Sequence, residues 1–250
     1  RMSQQNAKET EETLYANYVG SEVCGGCHSS TYAKFMQTGH PFKLTKVVNG
    51  MKPMDLPFTN LPDIPNDMGL GDGDNTLGPP SSYADVTYVI GGFKWKARFI
   101  DANGYIITGA DTQYNYETRE WVAYDDGTVD KPYNCGKCHT TGWLELDENG
   151  NRRQDGLPGM EGTFFAGGIH CEECHGPGAA HVNSNGDPQY ITTDSSSDLC
   201  GRCHTRDSQQ RIAASSELVR HHEQFDELQG KNPDTLQNTG RHLAAGVGCN

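Results

Sequence analysis

Gly168-Ile-His-Cys171-Glu-Glu-Cys174-His175-Gly-Pro-Gly-Ala-Ala-His181 holds two cysteines separated by two residues and a histidine directly after the second. A further histidine follows beyond a tight turn forced by Gly176, Pro177 and Gly178. The cysteine and histidine spacing recurs in Cys24-Gly-Gly-Cys27-His28, Cys135-Gly-Lys-Cys138-His139 and Cys200-Gly-Arg-Cys203-His204. This is the haem c attachment pattern, because two thiols must reach the two vinyl groups of one porphyrin while the next residue turns its imidazole under the iron. Cys24, Cys27, Cys135, Cys138, Cys171, Cys174, Cys200 and Cys203 are therefore read as thioether donors for four covalently attached haem c groups. His28, His139, His175 and His204 are read as their proximal iron ligands.

Paired C-x-x-C motifs also build four-thiolate zinc sites, but zinc does not require a histidine after every second cysteine. With 10 histidines in 250 residues, four such coincidences have a chance on the order of one in a few hundred thousand. A disulfide framework explains the even pairing and not the histidines. A thioredoxin-like role lacks the βαβ pattern it needs.

Composition agrees with a prosthetic interior. Leu, Ile, Val and Phe number 41 of 250, and the net charge is −13, a combination that by itself points to disorder. Yet 11 Tyr, 3 Trp and 30 Gly are spread along a chain without low-complexity runs. Four porphyrins supply the missing apolar area, at roughly 25 cal/mol per Å² buried. The acidity argues against a nucleic-acid partner, which needs basic patches. No apolar run is long enough for a membrane span. Residues 1–8 carry no apolar signal region, which reads as a mature chain whose leader has been removed or lies outside this sequence.

Six histidines remain as sixth ligands: His40, His170, His181, His221, His222 and His242. His40 follows a short helical segment over 31–37 and is expected to bind iron. His181 is expected to be sent by its turn to a neighbouring iron. His221 and His222 flank the apolar stripe of Leu218, Val219, Phe225 and Leu228 on a helix expected over 208–228, so either can point inward. His242 is a further candidate; His170, beside Cys171, ranks last. Methionine would raise the reduction potential, but the histidine supply exceeds demand, so the irons are expected to be bis-histidine and of low potential.

The chain is expected to form one domain over 1–250. A first haem segment spans 18–50, a surface loop 51–82, a β meander 83–125, and the remaining haems with a C-terminal helix 130–250. The loop is rich in Pro, Asp, Asn and Gly, and Gly71-Asp72-Gly73-Asp74-Asn75 lacks the full ligand pattern of a calcium loop. Phe93, Trp95, Ala97 and Phe99 alternate with Lys94, Lys96 and Arg98 as in a half-buried strand. That basic face either meets solvent or haem propionates. Asn103-Gly104 supplies a hairpin turn into residues 105–108, and Tyr114, Tyr116, Trp121 and Tyr124 continue the meander. The fold class is thus a mostly irregular, loop-rich chain with a few short helices and a small antiparallel β meander around a haem-packed core. Cys249 is left over, either a free thiol or the opening of a fifth motif.

The block from Gly168 to His181, with Arg220-His-His-Glu-Gln-Phe225, resembles multihaem cytochromes related to the tetrahaem carrier that accepts electrons during hydroxylamine oxidation. The haem count, Thr38-Gly-His40-Pro41 and the meander between the first two motifs look more like the OmcE-like four-haem extracellular cytochromes that polymerise into nanowires. The resemblance spans roughly residues 18–245. It implies that His40 pairs with His175 and His181 with His204, and that His242, His221 or His222 acts on a neighbouring subunit. The expected function is electron transfer in an extracellular or cell-surface conductive filament, with self-assembly into a homopolymer and redox proteins or extracellular acceptors as partners. A soluble periplasmic carrier is the alternative. An enzyme is not expected, because surplus ligands leave no iron with an open position; the rival would be a reductase or oxidase of small nitrogen compounds.

Overall fold

In the computed structural model, the described residues are 11–53, 61–64, 80–194, 196–204, 225, 228 and 245–249. Chain contacts gather it into two units, Arg1–Ile191 and Thr192–Asn250. The first unit carries three of the four motifs and the second carries the last.

The first unit is organised by an antiparallel sheet of seven strands: β1 (Leu44–Lys46), β2 (Val86–Gly91), β3 (Lys96–Asp101), β4 (Tyr105–Ile106), β5 (Gly109–Asn115), β6 (Glu120–Tyr124) and β7 (Lys131–Pro132). The alternation at 93–99 becomes β3, where Ala97 and Phe99 are fully buried. β3 pairs β2 with Val89 opposite Phe99, and pairs both β4 and β5 along its other edge. The expected turn at Asn103-Gly104 joins β3 to β4, with Gly104 in the left-handed region at φ 88°. β5 and β6 complete the meander, Tyr114 opposite Trp121.

The sheet reaches past the boundaries expected for the meander. β1 comes from the first haem segment and β7 leads directly into the second motif. Pairing Leu44 with Ile90 and Ile106 with Lys131 therefore ties both motif-bearing segments to one scaffold.

Two apolar clusters form on it. One gathers Phe42, Val47, Leu61, Ile64, Tyr83, Val86, Val89 and Phe99, the other Leu44, Tyr88, Ile100, Ile106, Tyr133, Met160 and Phe164. Each such side chain contributes about 1.5–3 kcal/mol when fully buried, so around the sheet the polypeptide builds a core of its own. The segment 51–82 is also not all surface. Leu61 and Ile64 are buried, and the Tyr83 hydroxyl donates to the Pro62 carbonyl at 2.8 Å. Its polar, proline-rich composition conceals two apolar anchors. Gly71–Asn75 lies outside the described residues.

Shorter elements carry the motifs. α1 (Glu11–Leu14) precedes α2 (Ser21–Cys27) and α3 (Ser29–Phe35); the second motif lies on α4 (Gly136–His139), the third on α5 (Cys171–His175), followed by α6 (Ala179–Asn183). Two small ribbons brace them, β8 (Thr140–Thr141) with β11 (Ala166–Gly167), and β9 (Leu144–Glu145) with β10 (Gly162–Thr163). In the second unit α7 (Ser197–Gly201) carries Cys200. Of the helix expected over 208–228, Phe225 and Leu228 are described, both helical.

Candidate haem-binding site

Each motif folds locally into a short helix, since the thiols at positions one and four then share a face. In the second motif that helix leaves no room at Gly136, where an added Cβ would lie 1.8 Å from the Trp143 ring. The Thr140 hydroxyl closes the same turn by donating to the Gly136 carbonyl at 2.7 Å.

Residues between the cysteines of the third motif join the motifs together. Glu172 is 3% exposed, and its carboxylate accepts backbone N–H bonds from Val19 at 2.9 Å, Gly20 at 2.8 Å and Gly178 at 2.8 Å. It thereby holds the lead-in of α2 and the turn after His175. Glu173 accepts from the Gly142 N–H at 2.9 Å, reaching the residues after the second motif. The signal for this role was a pair of acids inside a motif whose flanks are buried, and sequence reasoning passed over both.

Ser21, buried at the start of α2, completes the joint. Its hydroxyl lies 3.1 Å from His170 Nδ1 and accepts from the Cys171 N–H at 3.1 Å. His170 Nε2 faces the Gly167 carbonyl at 2.9 Å, so Nε2 must donate there and Nδ1 accept. Burial lowers the His170 pKa, opposed by the bond to Gly167, and favours this neutral ring. Both ring nitrogens are thus engaged with protein, which makes His170 a tie between motifs.

His181 is placed differently. Its ring lies 6.4 Å from the His28 ring, centre to centre, with the planes 18° apart. Metal–imidazole bonds of about 2 Å, with the distance from nitrogen to ring centre on each side, bring two imidazoles on one metal to about 6 Å. His181 Nδ1 is 2.9 Å from the Asp187 carbonyl, which leaves the lone pair on Nε2. His139 shows the same device, its Nδ1 3.3 Å from the Lys43 carbonyl. These arrangements fit a haem iron held by imidazole Nε2. The exposed apolar Val23 and Val182, next in sequence to Cys24 and His181, give a porphyrin surface to cover.

The thiols add a relation between motifs. The Cys24 thiol pKa is pushed up to about 11, first by burial and then by the Cys171 thiol, whose sulfur lies 3.2 Å from the Ser21 hydroxyl. The attachment points of the first and third motifs are therefore neighbours. All nine described cysteines are free of disulfides.

The other expected ligands are placed as follows. His40 is exposed, and its carbonyl accepts from the Ile169 N–H at 2.8 Å, beside the third motif. His175 is exposed; in the second unit His204 is half-buried, and its carbonyl accepts from the Phe225 N–H at 2.9 Å. His221, His222 and His242 lie outside the described residues. Cys249 donates its N–H to the Ser197 hydroxyl at 2.9 Å and contacts Cys200, whose thiol it helps burial to raise. The basic strand face is partly covered: Arg98 stacks 3.5 Å above the centre of the Tyr124 ring and donates to Gln113 at 2.7 Å. Half-buried Lys43 has its pKa lowered by burial. Among the described residues no helix is long and apolar enough to cross a membrane.

Residues 107–176 match the family model described as Cytochrome c554 and c-prime. That stretch is similar to c-type cytochromes. It contains the second and third attachment motifs and all of the chain between them. Three solved multihaem proteins are also similar. They are the undecahaem cytochrome from the S-layer of Carboxydothermus ferrireducens, at 26% identity over 75% of this chain and TM-score 0.49; the outer cell wall cytochrome OcwA, at 22% over 76% and 0.49; and the Wolinella succinogenes octahaem sulfite reductase MccA, at 19% over 76% and 0.45. This chain spans 25%, 38% and 35% of their respective lengths. No curated protein matches it.

Proposed function

We propose that this protein transfers electrons through four c-type haems, each held by the two cysteines and the histidine of one motif. The observation that carries the reading is the separation and near-parallel setting of His28 and His181. Bound haem supplies reversible one-electron iron chemistry, and a second imidazole in place of methionine keeps its potential low. The chain's own residues do the rest. His28 and His181 would hold the first iron between them, and the Asp187 carbonyl orients His181. Glu172, Ser21 and His170 lock the first motif against the third. The adjoining Cys24 and Cys171 thiols bring the two attachment edges together, which supports direct electron passage between those centres. The three remaining irons are proposed to draw their sixth ligands from among His40, His221, His222 and His242.

An iron held by two histidines would offer no position for a small substrate, which favours a carrier over a reductase. The reading extends to export and to assembly of copies into an extracellular conducting filament. A soluble periplasmic carrier uses the same centres without assembly.

Replacing His181 with Ala tests the ligand pair. One of the low-spin ferric signals in the electron paramagnetic resonance spectrum converts to high spin, and the other signals stay. Four unchanged low-spin signals would remove His181 from the iron.

A further inference from the structure

Lys43 is the residue whose surroundings the ligand assignments leave unexplained. Its backbone carbonyl faces the Nδ1 of His139, and its N–H donates to the His40 carbonyl at 3.3 Å, so it lies between two iron-ligand candidates. The side chain is half-buried. Lys46 meets Asp155, Lys52 meets Asp63 and Lys131 meets Asp125; Lys43 meets no carboxylate among the described residues. A cation withdrawn from water without a counter-charge is costly, and such groups are normally paired.

Two cations near Cys135 have partners of their own. Arg98 is stacked on Tyr124 and bonded to Gln113, and Lys131 is held by Asp125. A group attached through Cys135 and Cys138 brings two propionate carboxylates with it. The lysine stem is long enough to reach past its own carbonyl toward a group held by His139, and an ammonium is a point charge suited to a single carboxylate oxygen.

We propose that Lys43 is the propionate-binding residue for the haem of the second motif, supplying the cation that neutralises one of its carboxylates. This rests on the electron-transfer reading and deepens it: the same segment that orients the His139 ring through its carbonyl would also fix the far edge of the porphyrin through its ammonium. A positive charge held there favours the reduced, more negative iron centre, so Lys43 would raise the potential of that haem relative to its neighbours.

The test uses the four-haem protein in redox titrations followed by visible absorption. Lys43→Met is expected to shift one of the four midpoint potentials downward with the haem content unchanged, and Lys43→Arg to restore it. Unchanged potentials in a fully loaded Lys43→Met protein, or the same shift in Lys43→Arg, overturn the proposal. If Lys43→Met fails to fold, redox infrared difference spectra of Lys43→Arg and the unaltered protein, both carrying 13C-labelled propionates, decide the question. Replacing ammonium by guanidinium should move one carboxylate stretch, and an unmoved band overturns the assignment. Absence of any haem absorption would instead count against the electron-transfer reading itself, which keeps the two failures distinct.

Discussion

Glu172 shows how much can depend on one side chain in a chain with few aliphatic residues. Its carboxylate satisfies three backbone donors from two segments that are otherwise far apart in sequence. Replacing it with Ala leaves those donors buried without partners, each worth about 1–3 kcal/mol. Allowing for partial relaxation, Glu172→Ala should destabilise the protein by about 3 kcal/mol in denaturant unfolding; Glu172→Gln, which retains one oxygen acceptor, should cost less. A loss below about 0.5 kcal/mol, the level of an ordinary surface change, would show that the joint between the first and third motifs lies elsewhere. The histidines divide by the same accounting. His170 has both nitrogens occupied by Ser21 and Gly167 and serves structure, whereas His181 has Nδ1 turned to a carbonyl and Nε2 left for chemistry.

At the scale of the element, the turn between β3 and β4 is governed by Asp101, 2% exposed, whose carboxylate accepts from the Asn103 N–H at 2.8 Å and the Tyr105 N–H at 2.9 Å. Burial raises its pKa, and the backbone N–H bonds oppose that rise. A raised folded-state value means that the folded protein holds this proton more tightly than the unfolded chain. The contribution is therefore complete below the ordinary aspartate value of about 3.9 and is lost as the pH rises through the folded value. Asp101→Asn removes this dependence: the unfolding free energy of the unaltered protein should fall relative to that of the variant as the pH rises above the ordinary aspartate value of about 3.9. Parallel profiles would contradict it. The sheet that this turn belongs to was partly legible, because alternation at 93–99 and the Asn103-Gly104 turn are local signals. β1 and β7 were missed, being two or three residues long, with no period to read, and formed only by pairing with β2 and β4.

For the whole molecule, net charge governs association. Copies carrying −13 each repel over the Debye length, about 10 Å at 0.1 M salt and about 3 Å at 1 M. Raised ionic strength is therefore expected to promote filament formation, as seen by negative-stain electron microscopy. Single particles at every salt concentration would leave the carrier and remove the filament. The mass of the intact protein should exceed that of the polypeptide by four haem groups; a smaller increment would strike out one or more motifs.

The four attachment motifs are legible in the sequence alone, because two thiols and an imidazole within five consecutive residues are held at the spacing haem c requires by the covalent chain and one turn of helix. Composition likewise gave the loop-rich character, though it hid the buried Leu61 and Ile64. What only the tertiary structure decided was which distant groups meet. His28 and His181 are brought together across the chain, and Glu172 bonds Val19 at a separation of 153 residues. Such contacts leave no periodicity in the chain, since they come from short helices and their flanking turns packing on one another from distant segments.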